Sequence, residues 1–173
     1  MTDEARRILR ADGTWDVFEE DWRKQCESYG EDFADYASGT FSVLKEIIDE
    51  EHEKAAVFAF LSEKSHRSIC QVNTKLIPGY DSPVMRVRFM TMCPDLDFGD
   101  NPIDDYIHAL VHLFAGAMAI SDEDPEFQAR HVKVHLRSPN DRQFFSVLGA
   151  GLNEADEFES VRVAGSWLYI TKS

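Results

Sequence analysis

The stretch from Val84 to Ile120, VMRVRFMTMCPDLDFGDNPIDDYIHALVHLFAGAMAI, most constrains what this chain can fold into. Val84 to Cys93 has the length and apolar content of a strand. Ile103, Tyr106, Ile107, Leu110, Val111, Phe114 and Met118 then recur at helical spacing, with Pro102 opening the helix and Asn101 or Asp100 as its candidate cap. Between them lies an acidic connection. Any function has to be argued across this strand-to-helix junction.

The flanking sequence supplies the rest of a mixed domain. Trp15, Phe18, Trp22, Cys26 and Tyr29 lie at spacings of three and four, so residues from 14 onward predict a helix closed by Gly30, after a polar arm over 1–13. Phe33, Tyr36, Ala37, Phe41, Leu44, Ile47 and Ile48 continue a second helical pattern that Ser38-Gly39 can bend or split, making a helical pair over 14–53. Helical spacing alone explains the aromatic stripe as core packing. Ala55 to Leu61, Ser68 to Leu76 and Val84 to Cys93 then predict an antiparallel meander. Beyond the long helix, His131 to Arg137 alternates as a strand that can run parallel to the one at Val84. A helix over about Pro139 to Leu148 and a hairpin of Val161 to Val163 with Trp167 to Thr171 end the chain. The expected fold is α+β, one domain over 1–173, with 55–173 forming a mixed, mostly antiparallel sheet flanked by helices.

Composition narrows the function classes. The 173 residues, 43% hydrophobic and 12% aromatic, suffice for one ordinary core. A net charge of -14, from 32 acidic against 18 basic residues, leaves little of the cationic surface that nucleic acid requires, so no nucleic-acid partner is expected. Three cysteines, Cys26, Cys70 and Cys93, without close pairing suggest a reducing cytoplasm. The apolar run Ala109 to Ile120, interrupted by His112, is too short to span a bilayer, so no membrane partner is expected either.

The order of elements is similar to that of the GNAT superfamily of acyl-CoA-dependent N-acyltransferases. A late segment sharpens the likeness. Asn140 to Leu152, NDRQFFSVLGAGL, resembles the family signature of Asn after the fifth strand, Ala three on, Tyr seven on and Gly-Phe at eleven and twelve. Asn140 and Gly151 match it, Leu152 replaces Phe, and Gln143 and Val147 depart from it. The likeness runs from about Ala55 to the C-terminus, and something within residues 5 to 10 would have to supply the family's first strand.

That resemblance implies an acyl-CoA, acetyl-CoA or another, held in the cleft between the strands at Val84 and His131. A strand bulge among Phe89, Met90 and Thr91 would offer a main-chain N–H to the acyl carbonyl. The family's connection resembles Arg/Gln-x-x-Gly-x-Gly/Ala, whose glycines let N–H groups approach the pyrophosphate. Here Asp97 falls on the basic position and Asp100 on a glycine, and Gly99 stands out of register. Asp95, Asp97 and Asp100, followed by Asp104 and Asp105, suit a helix dipole better than a phosphate. Val147 stands where the family commonly carries a Tyr that protonates the thiolate; adjacent Ser146 points about a quarter-turn away. Glu63, His66 and Asp95, near strand ends, are the candidates for general base. Asn140 and Gly99 complete the expected cofactor contacts.

A metal site is a rival. Asp104, His108 and His112 share one helical face and His131 and His135 one strand face, but there is no HExxH, and ordinary partly buried or surface histidines are expected, with no metal. Two functions therefore stand side by side: an acyl-CoA-dependent N-acyltransferase acting on an unspecified acceptor, and a catalytically inactive GNAT-fold interaction or regulatory module that meets a protein partner through its acidic surface or aromatic helices.

Overall fold

A computed structural model describes residues 4–50 and 55–173. The chain order is β1 (Glu4–Ile8), α1 (Thr14–Ser28), α2 (Ser38–Glu50), β2 (Ala55–Ser62), β3 (Ser65–Lys75), β4 (Val84–Met92), α3 (Pro94–Phe98), α4 (Ile103–Glu123), β5 (His131–His135), α5 (Pro139–Leu152), β6 (Phe158–Ala164) and β7 (Trp167–Lys172). The seven strands form one sheet in the order β1-β2-β3-β4-β5-β7-β6. Every pairing is antiparallel except β4 with β5, which is parallel because α4 crosses over between them. The α+β reading holds.

Several details differ from the sequence expectation. The polar arm contains β1, whose Ile8 is fully buried opposite Val57, so a strand does precede the paired helices. The extension of the helical pair to residue 53 and the first three residues of the arm lie outside the described residues. α2 begins at Ser38, and residues 33–37 form turns ending at Ala37 with a φ of 49°. Glu63 and Lys64 alone join β2 to β3, both with positive φ, which shortens the expected turn to two residues. The acidic connection holds a short helix, α3, and Pro102 itself occupies the cap position of α4, so neither Asn101 nor Asp100 caps it. α5 runs through Gly149 and Gly151 to Leu152 because Ser138 and Asp141 close a capping box at its start.

The core lies on both faces of the sheet. Phe58 stacks edge-on against Phe127, and Phe60 against His112 of α4, so these side chains turn to one face. On that face α4 crosses β1 to β4, while α5 packs on β6 and β7. By alternation Val57, Ala59 and Ile69 turn to the other face, where α1 and α2 reach β3 and β2. α4, at 21 residues, is long and apolar enough by composition to cross a membrane; here Leu110, Leu113 and Ala117 are buried in the domain.

The α1 side is fixed by aromatic packing. Trp22 is fully buried, lies 4.6 Å from Phe18 and 5.8 Å from Phe41 between ring centres, and its indole N–H donates to the His66 carbonyl at 2.8 Å. Trp22→Ala removes this volume and leaves that carbonyl unsatisfied, so it should lower the unfolding free energy by about 3–5 kcal/mol, read from urea denaturation.

Candidate active site

β4 is the strand on which the site is built. Toward β3 it is paired almost throughout, but the register slips: Ile69 faces Thr91 and Gln71 faces Arg88, so three steps on β4 oppose two on β3. The extra residue sits at Phe89, whose φ is 54°, a left-handed conformation unusual for an aromatic side chain. Toward β5 the pairing runs only from Val84–His131 to Val87–Val134. From Arg88 onward β4 has no neighbour on that edge, so the bulge opens into a cleft. Phe89 is partly buried beneath the Arg88 guanidinium at 5.0 Å, and Met90 and Thr91 are buried. The bulge thus falls at Phe89, within the stretch from Phe89 to Thr91.

His135, the last residue of β5, stands beside this cleft, packed 4.8 Å from the Trp167 ring. Burial lowers its proton affinity, and the charges of Arg88 and Arg137 lower it further, so the imidazole is neutral at neutral pH with a lone pair to offer. In the sequence it appeared only as a conceivable metal ligand. The cue that could have found it is register: one residue past Val134 on the parallel strand, it is the counterpart of Arg88 one residue past Val87.

The bases named from the sequence are placed elsewhere or are committed. Glu63 is exposed in the hairpin turn. His66 is 2% exposed under α1, and its Nδ1 and main-chain N–H both meet Asp21 Oδ2, at 2.7 and 2.9 Å. Asp95 accepts from the Tyr29 hydroxyl at 2.8 Å and lies 3.9 Å from Arg67. Ser146 donates back to the Arg142 carbonyl at 2.7 Å on the outer side of α5, and the adjacent Val147 is 72% exposed. Asn140 is exposed in the first turn of α5. Among the described residues no group of three His, Cys, Asp or Glu could hold a metal ion. His112 packs on Phe60, and His131 bridges Asp81 and Thr171, well apart in the fold.

The acidic connection does not form a phosphate cradle. The Gly99 N–H is spent on the Asp95 carbonyl at 3.0 Å, ending α3. A Cβ on Gly99 would collide with Asp95, Asn101 and Tyr29, so the glycine serves this tight closure rather than a ligand. The Tyr36 hydroxyl lies 2.6 Å from both the Met92 carbonyl and Asp97 Oδ2, and burial keeps its own proton on. Asp97 is held above the usual carboxylate range by desolvation, against the lowering effect of Tyr36, with the Asp141 charge adding to the rise. Asp141 in turn takes the Tyr106 hydroxyl at 3.3 Å. These groups would lose, not gain, by an added phosphate. An acyl-CoA therefore fits the bulge end of the cleft and does not fit the end where its pyrophosphate would lie.

No family model and no curated protein sequence matches the chain. Solved structures do. An N-acetyltransferase from Staphylococcus aureus Mu50 superposes with a TM-score of 0.53 at 10% identity, over 99% of this chain and 98% of its own. The Campylobacter jejuni N-acetyltransferase PseH, solved in complex with acetyl coenzyme A, gives 0.50 at 10% identity over 99% and 100%. The fold is the GNAT fold. At such identities the likeness carries architecture alone.

Folded Asp97 binds its proton more tightly than the unfolded chain does, so stability falls as pH rises from the ordinary carboxylate value through its raised one. Asp97→Asn should remove that loss. The variant should melt slightly higher than wild type at neutral pH, the gain being tempered by solvent access, and the difference should vanish as pH falls below the carboxylate range.

Proposed function

We propose that the chain is an N-acyltransferase that draws its acyl group from an acyl-CoA thioester and passes it to an amine. The observation that carries this reading is the left-handed bulge at Phe89 where β4 and β5 part. A bound acyl-CoA would supply an activated carbonyl. The chain's own contribution is local: the main-chain groups around the bulge, lacking a β5 neighbour, are positioned to donate to a carbonyl oxygen, and neutral His135 is positioned to take a proton from the amine. Because Asp95, Asp97 and Asp100 oppose phosphate, the donor is held chiefly by its acyl and pantetheine part. Three free, buried cysteines support a reducing, cytoplasmic setting, the Cys93 thiol being pushed up to about 11 by burial and so protonated at neutral pH.

The exposed Val147 and the acidic connection favour a second reading, a GNAT-fold module without catalysis. One titration separates them. Acetyl-CoA or acetyl-pantetheine at about a hundred times its dissociation constant should add roughly 2.7 kcal/mol, a rise of several degrees in melting temperature, and added salt should strengthen the CoA response by screening the carboxylates. No rise with either thioester leaves only the module. His135→Asn should cut kcat by about 10²–10⁴-fold. In wild type, activity should fall as pH drops through the lowered value of His135, because protonation removes the lone pair; Arg88, Arg137 and the Trp167 ring are the groups acting on it.

A further inference from the structure

An acidic protein here carries one cationic sheet face. α4 and α5 pack on one side of the sheet, while α1 and α2 make their main contacts with β3 and β2 on the other, leaving Arg86, Arg88, Lys133 and Tyr169 partly exposed and Arg162 exposed on that second face. Cross-strand register arranges its side chains in rows. One row runs Asn73, Arg86, Lys133, Tyr169, Arg162. The next, one pleat nearer the bulge, runs Gln71, Arg88, His135, Trp167, Ala164, with Arg88 and His135 on the two strands where they part. None of the 32 acidic residues stands in either row.

The cations of these rows are uncompensated. Among the described residues Arg86, Arg88, Lys133 and Arg162 take part in no ion pair. Arg86 has one side-chain hydrogen bond, to Asn73 at 3.1 Å, and the Arg88 charge works against its own. Lys133 rests 4.6 Å from the centres of both Trp167 and Tyr169, and Arg162 lies 4.5 Å from Tyr169, so aromatic rings rather than carboxylates hold the cations in place. Asp81 reaches in from the β3–β4 loop to His131, at the far end of β5 from the bulge. At the bulge end, Gln71 is 8% exposed and its amide oxygen has no donor in the protein. This unpartnered acceptor lies two strands from His135, with Arg88 on the strand between them.

We propose that this face binds the acceptor, an amine that also carries an anionic group: the amine at His135, where β4 and β5 part, and the anion at Arg86 and Lys133. The two rows lie one strand repeat apart, so amine and anion are separated by about 7 Å. This rests on the acyl-transfer reading and names the substrate class for it. Uncompensated cations also suit a nucleic-acid strand stacking on Trp167 and Tyr169, but a net charge of -14 works against a polyanion that runs past the edge of so small a patch. A small anion meets only the patch.

The test uses the full chain with ε-aminocaproate, whose amine and carboxylate match this spacing, its uncharged amide, aminopropyl phosphate as the phosphate arm, and spermidine. Binding by calorimetry and acetyl transfer from acetyl-CoA are both read. The anionic amines should bind and react at least about tenfold better than the amide or spermidine, and Lys133→Gln or Arg86→Gln should raise KM for them about tenfold at unchanged kcat, without affecting the amide. Both variants lie on an open face, and circular dichroism with an unchanged acetyl-CoA melting shift verifies their folding. Equal use of the amide, preference for spermidine, or tight binding of a single-stranded oligonucleotide in place of the small amines overturns the proposal. Binding of anionic amines without any response to acetyl-CoA overturns acyl transfer instead, leaving a face that binds anions but accepts no acyl group.

Discussion

β4 has to satisfy two neighbours that make different demands, and the rest of the structure follows from how it does so. Against β3 it keeps a ladder along nearly its whole length, which buries Val87 and Met85 in the core under α4. Against β5 it can pair only as far as Val87, because the chain leaves β5 after His135 and enters α5 at Pro139. The extra residue at Phe89 absorbs the mismatch. It bends β4 away from β5 and turns Phe89 into the left-handed region, a conformation with a cost of order 1–3 kcal/mol that the surrounding packing must offset. An open pair of strand edges inside a sheet is expensive to leave unused, and its persistence here is the best argument that something is meant to lie between them.

The end of the cleft that α3 closes obeys a different logic. Tyr29, Tyr36 and Tyr106 each bring a hydroxyl to a carboxylate of Asp95, Asp97 or Asp141, and Gln25 reaches the Asp95 main-chain N–H. α3 is thus tied to α1 and to the turn before α2, and the groups that would meet a pyrophosphate are committed to holding helices together. Fold and local chemistry disagree at this point for a physical reason: the same main-chain donors cannot end a helix and bind a ligand. A donor that binds here must be held elsewhere along its length.

The meander, the long helix and the crossover were legible because each buries one periodic face, and periodicity survives in the sequence. β1 carries no strand pattern of its own, because Glu4, Arg6 and Arg7 beside Ile8 look polar, and only the resemblance points to a strand within residues 5 to 10: Arg7 pairs with Glu126 and lies 5.7 Å from the Phe127 ring, contacts that only the folded chain brings together. The glycines suggest an end to α5 at Leu148, yet Gly149 lies within the helix, where Val161 leaves little room for a Cβ. No composition marks the bulge at Phe89, and only the resemblance points to the stretch from Phe89 to Thr91. His66, following a charged turn near a strand end, looks solvated in the sequence, whereas α1 covers it.

His135 and the cationic face were invisible for a related reason. Net charge sums over the surface, and -14 describes helices α1 and α4 and the loops far better than it describes β4 to β6. Alternation sends every second residue of a strand to one side, so Arg86, Arg88, Lys133 and Arg162, scattered over 77 positions of chain, converge only once strand order and register are known. The order β4-β5-β7-β6 is what assembles them, and the same parallel register that places Lys133 beside Arg86 carries His135 to the bulge. A single geometric fact, the Val87–Val134 end of the β4–β5 ladder, thereby sets both where an acyl carbonyl can be held and which charge its acceptor meets.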